Sequence, residues 1–206
     1  MVAEGVLAAP TPDYALGVHV WNEKEIGWYG LTDGPAMAGS HQFTVTLTGK
    51  GGHGAVPQVS ADPIVAAAQI ITALQTLVSR NVSPLESAVV SVCQIEAGTA
   101  FNIIPQEAAF SGTIRTFKPE IFQTIERRFR TLVEKTAEAM GCLADMAMEM
   151  VTLPVINDTS ITHLLAGRIK EIDPSAKIDH HFQTMGSEDF SFMMDNIPGC
   201  FMFVGS

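Results

Sequence analysis

The chain has 206 residues, of which 47% are apolar, enough for a packed core in one large domain or two small ones. Its formal net charge is -10, and its Lys and Arg residues are scattered apart from Arg127, Arg128 and Arg130, which argues against nucleic acid or an acidic membrane as partner. No apolar run approaches the roughly 20 residues of a membrane-spanning helix, and the opening MVAEGVLAAPTP lacks the basic stretch of a secretion signal, so the expected setting is cytoplasmic.

In chain order, residues 1 to 38 hold one expected strand, YALGVHVW, read as buried, and then loop. In HQFTVTLTG, Phe43, Val45 and Leu47 fall on one face and Gln42, Thr44, Thr46 and Thr48 on the other, the period of a half-buried strand. The loop from Gly49 to Gly54 ends it. Asp62 before Pro63 makes an N-cap followed by the favoured first-turn proline, and Ile64, Ala68, Ile71, Leu74, Leu77 and Val78 recur at helical spacing to about Arg80. SAVVSVCQI is rich in β-branched residues and reads as a strand. After the EAGTAFNIIPQ connection, AAFSGTIRTF alternates again, and the two strands are expected to pair antiparallel. Pro119 opens a second helix with Phe122, Ile125, Phe129, Leu132, Val133, Thr136 and Met140 on one face, stopped by Gly141. LADMAMEMV then alternates Met146, Met148 and Met150 against Asp145, Ala147 and Glu149, a last strand of this block. Residues 153 to 206 hold a helix from about Ser160 to Ile172, a short loop-helix around Glu188 to Met194 and a terminal strand, CFMFVG.

The order between residues 39 and 152 is therefore β-α-β-β-α-β, a ferredoxin-like unit with one sheet and two helices on one of its faces. The expected fold class is α/β overall, with this α+β unit inserted between flanks 1–38 and 153–206. Each flank supplies only one expected strand of a layered domain, so neither buries a core alone. They read as two edges of a second, incomplete α/β domain. Cys93, Cys142 and Cys200 are too few and too far apart for a disulfide framework or a metal knuckle, and all three are expected to be small buried hydrophobes.

Several chemical signatures are missing: no GxSxG, HExxH or GxGxxG occurs, and GKGGHG lacks the GK[ST] ending of a phosphate loop. The histidines are the best remaining candidates. His19, at the end of a strand, is either a satisfied core residue or a metal ligand whose second nitrogen is held by an acceptor. His53 sits among glycines that cannot bury it and that leave room for a substrate or another chain to approach the backbone. Asn102 follows GTAF, and Arg115 lies on the strand face opposite Phe110, Gly112 and Ile114; an Asn can donate to a carbonyl and an Arg can grip a carboxylate bidentately. His180 and His181 are adjacent, and neighbours on an extended chain point to opposite sides, away from a shared ion. Glu188 and Asp189 follow Gly186 and Ser187 in a helix-start setting and are read as cap or first-turn residues. His41 and His163 receive no role.

Taken together, GVHVW, TGKGGHGAVPQVSADPIVAAAQIITALQTLVSR, GTAFNIIP, GTIRTF and MGSEDF occur in an order and spacing that resembles the M20 metallopeptidase and amidohydrolase family, in particular its aminoacylases, hippurate hydrolases and auxin-conjugate hydrolases. The resemblance covers essentially the whole chain. It implies a catalytic α/β domain binding two divalent metal ions, zinc or manganese, and an inserted lid, residues 39 to 152, that forms a homodimer. It implies His19 as a metal ligand, and His53 as the lid histidine that reaches a partner's active site and stabilises the oxyanion. It further implies Asn102 and Arg115 as holders of the substrate's carbonyl and carboxylate, and Gly186 and Ser187 as lining the substrate cleft. The implied reaction is hydrolysis of the amide bond of a small N-acyl amino acid by a metal-activated water, with a glutamate shuttling the proton.

The chain departs from the family pattern in lacking its CGHD and PAEE segments and its last ligand histidine, and in carrying Asn22 and Gln58 where a proline and a second histidine are usual. One family ligand cannot build a two-ion site, because each ion needs about four. Two readings follow: an internal fragment of an amidohydrolase, inactive and poorly soluble alone, or a non-catalytic module for dimerisation or ligand binding. Metal-site remnants in strand-deficient flanks favour the first. Within the enzyme reading, a deacetylase of N-acetyldiaminopimelate in lysine synthesis carries the same motifs.

Overall fold

The computed structural model describes residues 1–206, which divide into two compact units, Ser40–Met150 and the two flanks Met1–Gly39 with Val151–Ser206. The N-terminal flank carries β1 (Ala15–Trp21), β2 (Trp28–Gly30) and β3 (Gly34–Met37). Only the first of these has a readable sequence signal; the stretch expected to be loop contains the other two, each too short to display a period of two.

The inserted unit runs β4 (Gly39–Thr48), β5 (Gly52–His53), α1 (Pro63–Asn81), β6 (Ala88–Ala97), β7 (Ile103–Ile104), β8 (Glu107–Thr116), α2 (Pro119–Ala139) and β9 (Leu143–Thr152). Its four long strands form one sheet in the order β6-β8-β4-β9, the arrangement of the split βαβ motif. Strands β6 and β8 pair antiparallel, with a bulge between Val92 and Gln94. Cys142 and Cys200 are buried as expected, but Cys93, at the bulge, is exposed along with the rest of β6 to Ala97.

Alternation on β4 puts Phe43, Val45 and Leu47 fully in the core. The carboxylate of Asp62 starts α1 by accepting from the N–H groups of Ile64 at 2.9 Å and Val65 at 3.4 Å, with Pro63 in the first turn. The helix is apolar nearly all round, and the face that packs is not the one its strongest hydrophobes suggest. Ala66, Ala67, Ile70, Leu74 and Leu77 are buried, whereas Ile64 and Ala68, expected in the core, are exposed. Helix α2 buries Ile125, Phe129, Val133 and Ala137 in the same cluster, with Phe122 and Leu132 against it and Met140 outside. Gly141 ends it in a left-handed conformation, φ +70°, while the Cys142 N–H closes back on the Ala137 carbonyl at 2.9 Å. On β9, Met146 and Met148 pack on the core, and Met150 is exposed.

The C-terminal flank adds β10 (Val155–Asn157), α3 (Thr159–Ile172), β11 (Lys177–Asp179), α4 (Ser191–Met194) and β12 (Gly199–Gly205). The two flanks together make a sheet ordered β1-β12-β2-β11 and a ladder between β3 and β10. Their core is Trp28, Ala36, Met37, Val155, Phe201 and Phe203, joined by Trp21, Phe182, Phe190 and Met194. Buried Asn157 staples it: its Nδ2 donates to the carbonyls of Thr32 and Phe201 at 2.9 and 3.0 Å, and its Oδ1 accepts the Phe201 N–H at 2.8 Å. Strand β1, expected to be buried, pairs on one side only. Leu16, Val18 and Val20 on one face are each about half exposed, at 47, 58 and 51%.

Candidate functional site

The loop after β4 is built into a small ladder of its own. Strands β5 and β7 pair antiparallel, Gly52 opposite Ile104 and His53 opposite Ile103, and the Gly54 N–H donates to the Asn102 carbonyl at 2.8 Å. On its other side Lys50 and Ala61 exchange backbone hydrogen bonds at 2.8 and 3.0 Å. The glycines of this loop are needed because the chain's own backbone comes close. A Cβ on Gly49 would stand 2.2 Å from the Ala61 carbonyl oxygen, one on Gly51 2.9 Å from that of Ile104, and one on Gly54 3.0 Å from that of Asn102. The room that the sequence suggested for a substrate or another chain is filled by residues 61 and 102 to 106.

His53 and Asn102 are both exposed at this end of the ladder, His53 opposite Ile103 and Asn102 one residue on, opposite Gly54. The His53 Nδ1 accepts the N–H of Ala55 at 3.1 Å. Because a backbone N–H can only donate, Nδ1 is the unprotonated nitrogen, and the neutral ring presents its proton outward on Nε2. Phe101, next to Asn102, is fully exposed.

Arg115 is not part of that cluster. It lies near the end of β8, opposite Val89 on β6 and on the face away from Phe110 and Ile114, and its Nε donates to Thr113 Oγ1 at 2.8 Å. It lies eight steps along the strand from Glu107, the first residue of β8 and the one after Gln106, or roughly 26 Å at 3.3 Å per residue.

In the flanking unit, His19 is exposed on β1, with Trp21 and Phe203 as ring neighbours at 6.2 and 6.5 Å between centroids. Its Nδ1 lies 2.7 Å from the Val20 carbonyl, which can only accept, so Nε2 keeps the lone pair. That arrangement suits a metal ligand, whose other ring nitrogen commonly donates to a backbone carbonyl. No three His, Cys, Asp or Glu side chains of the chain converge on one point, however. The residues present therefore do not by themselves fit a two-ion centre.

Gly186 and Ser187 sit in a loop fastened to β3. The Ala38 N–H donates to the carbonyls of Thr184 and Gly186 at 3.2 and 3.0 Å, and the Gly186 N–H donates to Thr184 Oγ1 at 3.1 Å. Glu188 and Asp189, expected as cap or first-turn residues, precede α4 and give their backbone carbonyls to the N–H groups of Ser191 and Phe192; α4 has no side-chain cap. His180 and His181 line an open cleft of 600 Å³ with Asp33 and His163. Within it the His163 Nε2 is 3.8 Å from the Asp33 carboxylate.

Sequence reasoning missed Gln106, whose side chain grips the glycine loop across more than fifty residues of chain. Its only signal was its place directly after the NIIP segment.

The sequence profile of a family described as a peptidase dimerisation domain matches residues 36–141. The chain is 36% identical over 199 residues to an N-acetyl-L-cysteine deacetylase of Bacillus subtilis, covering 94% of this chain and 46% of that protein. It is 38% identical over 196 residues to an IAA-amino acid hydrolase (ILR1-like 4) of Arabidopsis thaliana, covering 92% and 44%. Among solved structures, a dinuclear metal-binding peptidase of the M20 family from Bacillus subtilis superposes with a TM-score of 0.80 at 30% identity, covering 100% of this chain and 51% of that one. The chain spans about half the length of the curated relatives it matches.

Proposed function

From the premise that this chain belongs to the M20 peptidase family, we propose that the protein it builds hydrolyses the amide bond of N-acyl amino acids, with His53 donating a hydrogen bond to the oxyanion of the tetrahedral intermediate. The observation that supports the reading is the β5–β7 ladder, which leaves His53 exposed and has exposed Asn102 at the same end. An imidazole with Nε2–H outward is a neutral donor, suited to oppose charge that develops on a carbonyl oxygen, and the Asn102 amide can donate to the same group. Arg115 suits the substrate's carboxylate, and the Gly186–Ser187 loop a wall of the cleft. The two relatives' names share an acylated amino acid, and we carry that class to this chain.

The Bacillus subtilis neighbour is described as dinuclear, and divalent ions in the complete protein, zinc or manganese, would supply an activated water. Of their ligands this chain offers His19 alone, so no step is derived through them.

An N-acyl amino acid is far shorter than the stretch of β8 between Arg115 and the His53 ladder. One chain cannot bring both ends of that strand to one substrate. We therefore assign His53 and Asn102 to one protomer of a homodimer and Arg115 to the other, the association running through the unit of residues 40–150. The three free cysteines, one of them exposed, suit a reducing cytoplasm.

The test is an assay, on a protein of the relatives' full length, of N-acetyl-L-cysteine, hippurate and N-acetyldiaminopimelate with added zinc or manganese. Turnover of at least one is expected, and His53→Ala should lower kcat by about 10²- to 10³-fold, as loss of one oxyanion donor does. Unchanged kcat in His53→Ala would refute the assignment.

A further inference from the structure

We infer that Gln106 is a positioning residue for His53, acting as a two-ended amide clamp that holds the loop in which the Ala55 N–H fixes the ring as an Nε2–H donor. The inference rests on the function proposed for His53, and adds what prepares it.

Three hydrogen bonds tie Gln106 to the loop. Its Nε2 donates to the Gly49 carbonyl at 2.7 Å, its Oε1 accepts the Gly51 N–H at 3.1 Å, and its own carbonyl accepts the Gly49 N–H at 2.9 Å. One end of the side chain meets a pure donor and the other a pure acceptor, so an amide fits both and a carboxylate fits only one. The clamp closes on the two glycines just before β5, so the stretch from Gly49 to His53 is held at its start by Gln106 and at its end by the pairing of His53 with Ile103. Past His53 the chain turns back, the Val56 N–H reaching the His53 carbonyl at 2.8 Å, and this turn aims the Ala55 N–H at the ring.

The chemical consequence concerns entropy and tautomer. A glycine-rich loop left free loses more backbone freedom on ordering than any other sequence, and a free imidazole interconverts between its two neutral forms. A donor that must meet an oxyanion gains when both are settled before substrate arrives, because nothing then reorganises during the reaction. Gln106 settles the backbone, and the Ala55 amide settles the proton.

The experiment is NMR on the 206-residue chain with nitrogen-labelled histidine. Wild type should show His53 in a single Nε2–H form, with a scalar coupling from the Ala55 N–H to Nδ1, and a Gly51 amide protected from hydrogen exchange. In Gln106→Met, which keeps the side chain's bulk, the coupling should vanish and the His53 ring should average between tautomers, while the His19 and His163 signals stay in place. In the catalytically complete protein the same change should lower kcat by on the order of 10- to 100-fold with KM within about twofold, the pattern of a misplaced catalytic group. A wild-type chain without the coupling, or with an unprotected Gly51 amide, overturns the proposal even if the variant fails to fold. So does a Gln106→Met chain that keeps the coupling. The two readings fail separately: full turnover in His53→Ala, with the coupling present in wild type and lost in Gln106→Met, sinks the function and spares the clamp, whereas lost turnover in His53→Ala with Gln106→Met indistinguishable from wild type sinks the clamp alone.

Discussion

His41 ends the buried stripe of β4, with its ring stacked 3.4 Å from Phe122 and its Nδ1 buried without a partner. Burial pushes this imidazole below its ordinary range, and the nearby Glu126 carboxylate pulls weakly the other way. The folded state therefore binds the proton less readily than the unfolded chain, whose histidine titrates near 6.5. The stability this group contributes is present above that value and is lost as pH falls through the lower folded one. Urea unfolding of the chain should shift to lower denaturant between about pH 7.5 and 5.5, and His41→Phe, which keeps the stacking, should flatten that part of the shift. In the flanking unit the comparable residue is Asn157. Replacing it by alanine orphans the Phe201 N–H and two carbonyls, at roughly 1–3 kcal/mol for each buried group left unpaired, and thermal melting should show the loss.

Helix α1 shows how an element's face is chosen. Ile64, Ile71 and Val78 make one apolar row and Ala66, Ala67, Ile70 and Leu77 another, and the core takes the second because small alanines let the helix lie close to the sheet and to α2. Ile70→Ala should thus cost about 2–5 kcal/mol in chemical denaturation, whereas Ile64→Ala, at a site 41% exposed, should stay within about 0.5 kcal/mol. Equal losses at the two positions would mean that the helix is rotated from the orientation described. At its start, Asp62→Ala should cost about 1 kcal/mol, since the carboxylate satisfies two N–H groups that have no other acceptor within the helix.

For the molecule as a whole, the separation of Arg115 from His53 along β8 makes a stoichiometric prediction. In a two-fold dimer each site would draw His53 from one protomer and Arg115 from the other. Two variants inactive alone, His53→Ala and Arg115→Ala, should then regain activity on mixing, because a mixed dimer has one site with both residues intact. With random exchange about a quarter of wild-type activity is expected. No recovery from dimers verified as mixed would place both residues at one site from one chain. The open face of β1 bears on handling the chain: Leu16, Val18 and Val20 beside an unpaired strand edge favour association, and Val18→Lys should reduce light scattering at high concentration.

The long elements were legible in the sequence because each repeats its period several times. Phe43, Val45 and Leu47 announce β4, Phe122, Ile125 and Phe129 announce α2, and Asp62–Pro63 marks the start of α1 within a residue. The order of these elements was enough for the split βαβ arrangement, whereas His53, Asn102, Arg115 and His19 stood out in the sequence only as candidates whose roles the family resemblance implies. Tertiary structure decided what has no period. Strands β2, β3, β5, β7, β10 and β11 are two to four residues long and exist because a partner strand lies beside them. The exposure of Cys93 belongs to the end of β6 that the core does not cover, and the half-exposed β1 needed the count of neighbours in its sheet. The same holds for His53: local sequence exposes it among glycines, but the turn that brings the Ala55 N–H to its Nδ1 and the pairing of its backbone with Ile103 are seen only in the folded chain.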